Sequence, residues 1–376
     1  MTPATLITAL LEKQYTFITG VPDSVFKHFL LAVDVEKGFQ HVITNNEGES
    51  CSLAAGYHLA TGKIPVVYMQ NSGLGNSINP LTSLLDANIY SIPALLLIAW
   101  RGLPGETDEP QHKKMGEILP GMLSLLGIPY SIADHHDDKM QGLLAQADRH
   151  FKIHQKPYAI LFPKTAITAG TAAKKNNPVI SENKIVRERL LEFIAKNTRE
   201  SDVLVTTTGK TSRELYEIRE RYQQDHSRDF LTVGSMGCAA SIALGIAMEC
   251  RQRRVILVDG DGACLMRMEA LATIGHVHPA NFLHLLLDNN AYESTGSQKT
   301  LSNNVDFAAI AQACQYQASR TVTTLSEFEH AFANFDRGPM MIVTKTLAYS
   351  RADLGRPKTT PIENKQAFMQ RLGIPV

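Results

Sequence analysis

The sequence predicts two α/β domains, each built on a doubly wound parallel β-sheet, joined by a short linker. Strand and helix patterns alternate from one end of the chain to the other, which is typical of parallel sheets covered by helices. Some strands, such as residues 94–99, are apolar at every position, so both of their faces should be covered. A polar segment without periodicity at residues 166–181 separates the alternating regions, so we expect domains at 1–165 and 182–376.

Apolar runs and amphipathic periods predict the elements of both regions in chain order. In the first region, strands are expected at residues 16–19, 41–44, 66–70, 94–99 and 159–162. Helices are expected at residues 5–13, 24–32, 48–61, 75–85, 114–126 and 139–152. In the second region, strands are expected at residues 203–206, 230–233, 255–258, 282–287 and 340–344. Its helices are expected at residues 182–196, 211–221, 239–249, 264–275, 305–313 and 325–334.

Composition narrows the range of partners. The 376 residues include 37 Lys and Arg and 37 Asp and Glu, so the formal charge of zero gives no electrostatic reason to expect nucleic acid or an anionic membrane. The five cysteines are scattered without a CxxC pair, which favours free thiols in a reducing cytoplasm. We see no signal peptide, and the longest apolar run is far shorter than the ~20 residues of a membrane span. We therefore expect a cytoplasmic protein.

The most informative residues follow two strands of the second region. Gly260, Asp261 and Gly262 come just after the strand at 255–258, and Asn290 follows the strand at 282–287. Ligands collect outside the carboxyl ends of parallel strands, so the Asp261 and Asn290 oxygens should converge on one cation. Mg²⁺ prefers such oxygens and usually shares its shell with phosphate oxygens. The two glycines let the backbone approach a phosphate, and a helix beginning near Ala263 offers free N–H groups.

The Gly-Asp-Gly tripeptide alone also occurs in ordinary turns, but here Asn289 and Asn290 follow after 26 intervening residues. The joint pattern resembles the diphosphate and metal motif of thiamine-diphosphate-dependent enzymes. The resemblance implies thiamine diphosphate and Mg²⁺ as cofactors. It also implies that the metal ligands are the side chains of Asp261 and Asn290 and the backbone carbonyl of Tyr292.

A segment of the first region carries the acid that such enzymes use to activate the cofactor. Glu47 ends a strand and opens a helix of small residues, which is similar to the glutamate segment of the family. The resemblance implies that its carboxyl group contacts N1′ of the aminopyrimidine. Glu47 could instead be a first-turn carboxylate favoured by the helix dipole. Glu49 lies about 200° further round the helix and is the poorer candidate.

The turn after the strand at 66–70 resembles the turn at the pyrimidine end of the cofactor in the family. Its candidate cofactor-binding residues are Ser72, Gly73 and Asn76. A generic strand-to-helix turn would have a similar sequence, so this segment depends on its context.

Two turns of the second region also resemble cofactor-binding segments. The resemblance implies that Met236 is the apolar wedge that bends the cofactor and that the Gly234 carbonyl accepts from its 4′-amino group. A Met is more often plain core. Thr208 and Gly209 resemble the turn that touches the diphosphate, where Thr211 could simply cap a helix.

The order of these segments carries an expectation about assembly. Thiamine enzymes build each site from the pyrimidine-binding domain of one subunit and the diphosphate-binding domain of another. The resemblance therefore implies a homodimer or homotetramer with inter-subunit active sites. Residues 1–165 would bind the pyrimidine, and residues 182–376 the diphosphate and metal. Many larger members carry a central domain, for which the short linker leaves no room.

Longer segments, at residues 20–24, 69–76, 100–112 and 292–298, resemble the phosphonopyruvate decarboxylases. The sulfopyruvate decarboxylases are similar but are often split into two subunits near the position of this linker. A continuous chain therefore favours the phosphonate enzymes, although fused sulfonate enzymes could exist. Glu293 and Ser297 depart from the expected Asp and Gly. The resemblance implies non-oxidative decarboxylation of 3-phosphonopyruvate to phosphonoacetaldehyde and CO₂ in phosphonate biosynthesis. Sulfopyruvate is the alternative substrate.

A dianionic 3-substituted pyruvate needs cationic or N–H donors. The candidates are Arg101, His112 and Lys299, together with the hydroxyl groups of Ser294 and Thr295. Arg101 could instead be a solvated cation in a loop or form a salt bridge with Asp108 or Glu109. His112 could equally be a surface histidine in a loop.

Asp23 and His112 are the candidate proton carriers, because decarboxylases of the family place an acid and a histidine over the reactive carbon of the cofactor. Asp23 could simply cap the helix that follows Pro22, or do both.

Three other functions are less favoured. A NAD-linked dehydrogenase would need GxGxxG after a strand and an acidic residue about 20 positions later, and we find neither. A non-catalytic cofactor-binding protein would keep Asp261 and Asn290 but lose Glu47, which is present. Carboligation of two keto acids uses the same cofactor chemistry, but the third domain usual in such synthases is missing.

Overall fold

The computed structural model describes residues 1–134, 136, 139–168 and 185–375. Contacts divide the chain into two compact units, Met1–Lys175 and Asn176–Val376. The predicted linker at 166–181 lies outside the described residues from residue 169 onward, as does the predicted start of the second domain. In the ranges described, no helix is long and apolar enough to cross a membrane.

The N-terminal unit contains a six-stranded sheet in the order β2-β1-β3-β4-β6-β5, in which all neighbouring strands are parallel. The strands are β1 (Phe17–Gly20), β2 (Gln40–Ile43), β3 (Val66–Gln70), β4 (Leu95–Trp100), β5 (Tyr130–Ile132) and β6 (Tyr158–Pro163). The helices are α1 (Pro3–Glu12), α2 (Lys27–Val33), α3 (Glu47–Thr61), α4 (Leu74–Ser83), α5 (Pro110–Leu125) and α6 (Met140–His154).

The C-terminal unit contains a second six-stranded parallel sheet, in the order β13-β14-β10-β9-β7-β8. Its strands are β7 (Val203–Thr206), β8 (Asp229–Leu231), β9 (Val255–Gly260), β10 (Phe282–Asp288), β13 (Ala318–Val322) and β14 (Met340–Lys345). A separate antiparallel hairpin consists of β11 (Ala291–Tyr292) and β12 (Gln298–Lys299). The helices are α7 (Arg187–Asn197), α8 (Lys210–Arg221), α9 (Ala239–Glu249), α10 (Asp261–Met266), α11 (Glu269–Val277), α12 (Phe307–Ala313), α13 (Leu325–Ala333) and α14 (Pro361–Arg371).

Alternate residues of the central strands enter two separate cores, one on each face of the sheet. In β4, Leu95 and Leu97 pack into one core, whereas Leu96 and Ile98 pack into the other. Successive side chains of a strand point to opposite faces, so a strand covered on both faces must be apolar at every position. The central strand β9 divides between two cores in the same way. The predicted class of doubly wound parallel sheets is confirmed.

The sequence prediction missed the short or partly exposed elements. Strands β5 and β13 lie at the edges of their sheets; β5 has no buried residue and β13 has one, so they lack a continuous apolar pattern. The β11–β12 hairpin and α14 were also missed. The helix predicted at 264–275 is wrong as a single element: α10 and α11 are separated at Arg267, whose φ of −136° and ψ of 49° are not helical.

Both sheets place their candidate residues at a topological switch point. Strand order changes direction between β1 and β3 in one unit and between β7 and β9 in the other. Adjacent loops diverge at such points and leave a crevice at the carboxyl ends of the strands, where ligands bind. We therefore expect a site at the loops that follow β1 to β4 in the N-terminal unit, and at the loops that follow β7, β9 and β10 in the C-terminal unit.

Candidate active site

Glu47 is held in a close cradle at the start of α3. It is 5% exposed, and the Asn46 side chain starts the helix by accepting from the Gly48 N–H at 2.8 Å. The Asn76 amide donates to Glu47 Oε2 at 2.7 Å. A Cβ at Gly73 would lie 2.4 Å from Glu47 Oε1, so the carboxylate packs directly against this backbone. Three predicted site residues, Glu47, Gly73 and Asn76, therefore meet.

The surroundings of Glu47 distinguish it from nearby candidates. Glu49 is exposed and accepts from the Asn45 N–H at 3.1 Å, which agrees with its lower rank as an acid. Burial raises the pKa of the Cys51 thiol to about 12, and the charge of Glu47 adds to the rise against a hydrogen bond with Ser77. Glu47 and Cys51 thus lie on the buried side of α3, together with Ser50, Ala54 and Ala55.

A second cluster in the N-terminal unit joins three further candidates. Arg101 donates from Nε and Nη2 to the two carboxylate oxygens of Asp108, at 2.8 and 2.6 Å. His112 Nδ1 lies 3.0 Å from Asp108 Oδ1. Arg101 Nη1 also donates to the Ser24 hydroxyl at 2.8 Å, beside Asp23. The structure therefore contains the Arg101 ion pair, and His112, at 8% exposed, is not a surface residue.

Burial shifts the pKa values of two groups in this cluster towards their neutral forms. Burial raises the pKa of Asp23, against a hydrogen bond from the Val25 N–H and the charge of Arg101. Burial also lowers the pKa of His112, against its hydrogen bond with Asp108. Burial acts to raise the pKa of Asp108. Its hydrogen bonds with Arg101 and His112 act in the opposite direction, and the pKa lies well below its usual range. Asp108 is an anion, while Asp23 and His112 are shifted towards their neutral forms.

In the C-terminal unit, the predicted metal-binding side chains converge on one hydroxyl group. Thr300 Oγ1 donates to Asp261 Oδ2 and lies 3.4 Å from Asn290 Oδ1. Ser302 Oγ donates to Asn290 at 3.1 Å and to Asp288 at 2.7 Å. Burial raises the pKa of Asp261 to about 6 against the hydrogen bond from Thr300, and the charge of Asp288 adds to the rise. This buried, oxygen-rich cluster would be stabilised by a cation.

Some of the oxygen atoms in this cluster are suitable ligands for a hard cation. Its carboxylate and amide oxygens are the ligands that Mg²⁺ prefers. The expected third ligand, the Tyr292 carbonyl, accepts from the N–H groups of Thr295 and Ser297 at 3.2 and 2.9 Å. In the part of the chain that is described, no group of three or more His, Cys, Asp or Glu could hold a metal ion. The remaining ligands would therefore be backbone, phosphate or water oxygens.

The glycine-rich junction of β9 and α10 differs from the prediction at both ends, because β9 extends two residues beyond its predicted end at residue 258. Gly260 ends β9, and α10 begins at Asp261, two residues before the expected start at Ala263. Gly262 and Ala263 are buried residues of that helix. A Cβ at Gly262 would lie 2.7 Å from the Tyr292 ring, so the ring packs against this glycine.

The two remaining cofactor turns contact each other. Thr208 Oγ1 accepts from the Gly234 N–H at 3.0 Å. Gly209, Gly234 and Gly237 all have positive φ, at 97°, 71° and 86°. Met236 is half-buried, so it is not a simple core residue. Because β7 pairs with β9, the Thr208–Gly209 turn and the Gly-Asp-Gly segment follow adjacent strands.

The candidate substrate residues of this unit lie on the β11–β12 hairpin. Ser294 and Lys299 are exposed, and the Thr295 hydroxyl donates to Gln298 Oε1 at 3.1 Å and to the Tyr292 carbonyl at 3.2 Å. Ser294 and Lys299 thus remain accessible, whereas Thr295 stabilises the turn. These candidate residues belong to the C-terminal unit, whereas Asp23, Arg101 and His112 belong to the N-terminal unit.

Glu293, which departs from the expected Asp, is held by two cations. Arg187 Nη1 donates to it at 2.8 Å and Lys210 Nζ at 2.9 Å, and Asn289 donates at 3.2 Å. Burial acts to raise the pKa of Glu293, but the charge of Arg187 and hydrogen bonds with Ser350, Lys210 and Arg187 together lower it. Arg187 also forms a bidentate pair with the buried Glu214. The longer side chain therefore belongs to an ion network that anchors the hairpin.

Sequence reasoning did not predict the roles of four residues at the candidate sites. Asp108 lies four positions before His112, and this i,i+4 spacing was the available signal. Thr300 and Ser302 carry no signal, because their partner Asp261 lies 39 residues before Thr300 and the hydroxyl groups follow a hairpin that was not predicted. Arg187 lies at the edge of the described residues and pairs with a carboxylate 106 positions away.

Two family models match the chain, and both describe cofactor-binding domains. The N-terminal TPP binding domain of thiamine pyrophosphate enzymes matches residues 1–118. The C-terminal TPP binding domain of the same enzymes matches residues 207–344. Thiamine pyrophosphate is another name for thiamine diphosphate.

Proteins with assigned functions are similar to much or nearly all of the chain. The phosphonopyruvate decarboxylase of Streptomyces viridochromogenes is 36% identical over 379 residues, covering 97% of this chain and 93% of that protein. The sulfopyruvate decarboxylase of Methanosarcina acetivorans is 31% identical over 322 residues, covering 80% of each. The sulfopyruvate decarboxylase subunit beta of Methanocaldococcus jannaschii is 37% identical over 188 residues, covering 49% of this chain and 95% of that subunit. The chain therefore belongs to the thiamine-diphosphate-dependent decarboxylase family that includes these proteins.

Proposed function

We propose that this enzyme converts 3-phosphonopyruvate to phosphonoacetaldehyde and CO₂ without oxidation, with thiamine diphosphate and Mg²⁺, as a step in phosphonate biosynthesis. The single observation that carries the substrate is the similarity to a phosphonopyruvate decarboxylase over 97% of the chain. The site supports the reaction class, because each unit presents a buried carboxylate, Glu47 or Asp261, at the carboxyl end of its sheet.

Residues of both units would hold the cofactor. Asp261, Asn290 and the Tyr292 carbonyl would bind the cation, and the turns after β7 and β9 would border the diphosphate. Met236 would pack against the rings, with the Gly234 carbonyl accepting from the amino group. When bound, thiamine diphosphate supplies the electron sink for the pair released as CO₂ leaves.

The remaining steps belong to side chains of the N-terminal unit. Glu47 would hold a proton at its carboxyl group against the pyrimidine ring, with Asn76 bonded to Oε2 to fix its orientation. Ser72 and Gly73 would line the same end. Asp23 and His112 would carry protons to and from the substrate, which suits their shifted pKa values.

The anionic end of the substrate requires positive charge near the proton carriers. Arg101 and His112 are grouped in the N-terminal unit, while Lys299, Ser294 and Thr295 belong to the hairpin of the C-terminal unit. Arg101 shares its charge with Asp108, so its remaining N–H groups would act mainly as directional donors. Lys299 is exposed and carries a charge that can reach a phosphonate.

The assembly we propose is a homodimer or homotetramer, in which each site combines an N-terminal unit of one subunit with a C-terminal unit of another. We also place the enzyme in the cytoplasm. All five cysteines are unpaired, as expected for a reducing compartment.

Sulfopyruvate is the second candidate substrate, and one observation favours it. The match to the Methanosarcina acetivorans sulfopyruvate decarboxylase covers 80% of this chain and therefore spans both units. The expectation that a continuous chain favours the phosphonate enzymes is thus not a valid discriminator. Carboligation of a second keto acid remains the less favoured outcome.

The test is an aldehyde-release assay on the purified holoenzyme with phosphonopyruvate, sulfopyruvate and pyruvate, each with and without thiamine diphosphate. We expect cofactor-dependent release from all active substrates and the highest kcat/KM with phosphonopyruvate. A higher kcat/KM with sulfopyruvate would overturn the substrate assignment and leave the decarboxylase class standing. Formation of a C–C coupled product instead of an aldehyde would favour carboligation.

A further inference from the structure

The Asp108 carboxylate contacts both Arg101 and His112, and Arg101 also contacts Ser24, beside Asp23. Its side chain is 4% exposed. Oδ2 accepts from Arg101 Nε at 2.8 Å and from the Gly102 N–H at 2.9 Å. Oδ1 accepts from Arg101 Nη2 at 2.6 Å and from the Glu109 N–H at 2.8 Å, and lies 3.0 Å from His112 Nδ1. Both oxygens are therefore fixed in place by backbone as well as side-chain donors.

The backbone around this carboxylate is packed too tightly to move easily. Gly102 has a φ of 71°, and a Cβ there would lie 2.1 Å from the His112 carbonyl oxygen. A Cβ at Gly116 would lie 1.7 Å from the Gly102 carbonyl oxygen. Trp100 Nε1 donates to the Gly116 carbonyl at 2.9 Å. The loop after β4 is thus locked against α5, which keeps Asp108 in register with His112.

The charge of Asp108 decides which nitrogen of His112 carries hydrogen. Burial acts to raise the pKa of Asp108, but its hydrogen bonds with Arg101 and His112 hold it well below its usual range, so it stays ionised. An ionised carboxylate accepts hydrogen bonds and cannot donate one. In neutral His112, the hydrogen must therefore be on Nδ1, and Nε2 must be the atom that accepts a proton.

We propose that Asp108 is a positioning residue, which fixes the Nδ1–H tautomer of His112 and the direction of the Arg101 guanidinium so that His112 Nε2 exchanges the proton during turnover. Asp108 itself neither gains nor loses a proton in this step. The part of the inference that concerns turnover rests on the proposed decarboxylase function, whereas the tautomer is a property of the resting enzyme. The charged groups that face His112 are Asp108, Arg101 and Asp23.

The first test measures the tautomer in the holoenzyme by ¹⁵N NMR with labelled histidine, with His112→Gln to assign the signal. We expect a protonated Nδ1 and an unprotonated Nε2 at neutral pH. In Asp108→Asn, the amide can present an N–H group to Nδ1, so we expect the Nε2–H tautomer to become populated. An Nε2–H tautomer in the wild-type enzyme would overturn the proposal.

The second test measures kcat/KM against pH with whichever keto acid the enzyme turns over best. We expect Asp108→Asn to lower kcat/KM by about 10²–10⁴-fold, the scale of well-placed acid–base groups. The limb assigned to His112 should move to lower pH, because removal of the anion disfavours the imidazolium. Glu106→Gln, which removes the same charge from an exposed position in the same loop, is the matched control and should change neither quantity.

Three outcomes separate this inference from its alternatives. An Asp108→Asn enzyme with a wild-type His112 signal and a wild-type pH profile would overturn the positioning role, even if the enzyme were less stable. If that variant fails to fold, the wild-type tautomer and the partial rescue expected of Asp108→Glu decide the question. If no keto acid is decarboxylated, the proposed function fails, but the NMR measurement still tests the tautomer.

Discussion

Glu47 and Asp261 occupy comparable places in the two units but have opposite surroundings. Each is the first residue of a helix that follows a strand of a parallel sheet, and each is nearly buried, at 5% and 3% exposed. Glu47 packs against the Gly73 backbone and accepts from the Asn76 amide. Asp261 lies instead among hydroxyl, amide and carboxylate oxygens, with Thr300 as its donor.

The comparison shows that the position of a carboxylate in the fold brings it to an edge where ligands bind, whereas its neighbours decide which kind of ligand it suits. The carboxyl end of the sheet brings both acids to an edge where ligands bind. Glu47 is held by the Gly73 backbone and the Asn76 amide, which would suit the proposed role of holding a proton against the pyrimidine ring. An oxygen-rich pocket with a second carboxylate nearby makes Asp261 a group that a cation would stabilise.

The largest expected effect comes from Glu47→Gln, which keeps the shape of the side chain and removes its ionisable proton. We expect kcat to fall by about 10²–10⁴-fold. Loss or weakening of one hydrogen bond should change the cofactor dissociation constant by less than about tenfold. Stopped-flow kinetics and calorimetry measure the two quantities. Glu49→Gln in the same helix is exposed and serves as the control, and near-normal turnover in Glu47→Gln would remove the activation role.

Asp261→Asn should act on binding rather than on chemistry, which would sharpen the contrast between the two acids. Partners of metal ligands are worth about 10–100-fold in metal affinity, so loss of the charged ligand itself should cost about 100-fold or more. Calorimetric titration of thiamine diphosphate with and without Mg²⁺ measures this, with circular dichroism to confirm folding. Unchanged Mg²⁺-dependent affinity would show that the cation binds elsewhere.

In the wild-type enzyme, a change of pH should change the affinity for the cation through the ionisation of Asp261. Burial raises the folded-state pKa of Asp261 from 3.8 to about 6, so its contribution to stability is fully present below pH 3.8 and is lost as the pH rises through about 6. Cation binding needs the ionised form, so affinity should fall about tenfold between pH 7.5 and pH 5. The rise in Tm on adding Mg²⁺ and thiamine diphosphate should accordingly be larger at pH 7.5. Asp261→Asn should abolish this difference.

The smallest effect is expected from Gly73→Ala, which tests the packing of the backbone against the Glu47 carboxylate. Gly73→Ala places a Cβ 2.4 Å from the carboxylate, so we expect a loss of about 1–3 kcal/mol in the free energy of unfolding and a lower kcat. Gly142→Ala in α6 meets nothing within 4 Å and should be neutral or stabilise by up to about 1 kcal/mol. Urea denaturation compares the two variants. Equal stability of both would mean that Glu47 is not held by this contact.

Local pattern was enough to predict the class of fold, whereas the cofactor was predicted from the resemblance to a family. Residues of β4 and β9 show a buried strand by composition alone, because every position faces a core. Asp261 and Asn290 could be paired because one crossover places the ends of β9 and β10 side by side. Edge strands such as β5 could not be found, since partly exposed strands lose the apolar signal.

The sequence by itself determined that this chain forms two parallel α/β units with an acid at the edge of each sheet, because periodicity and turn residues act over a few positions. Only the tertiary structure decided what those acids contact. The donor to Glu47 lies 29 residues away, and the donor to Asp261 lies 39 residues away. Such pairs depend on how strands are ordered and how loops pack at the sheet edge. Arg101 and His112 lie only seven and four positions from Asp108, but their convergence on it also depends on tertiary packing, because the loop after β4 folds back against α5.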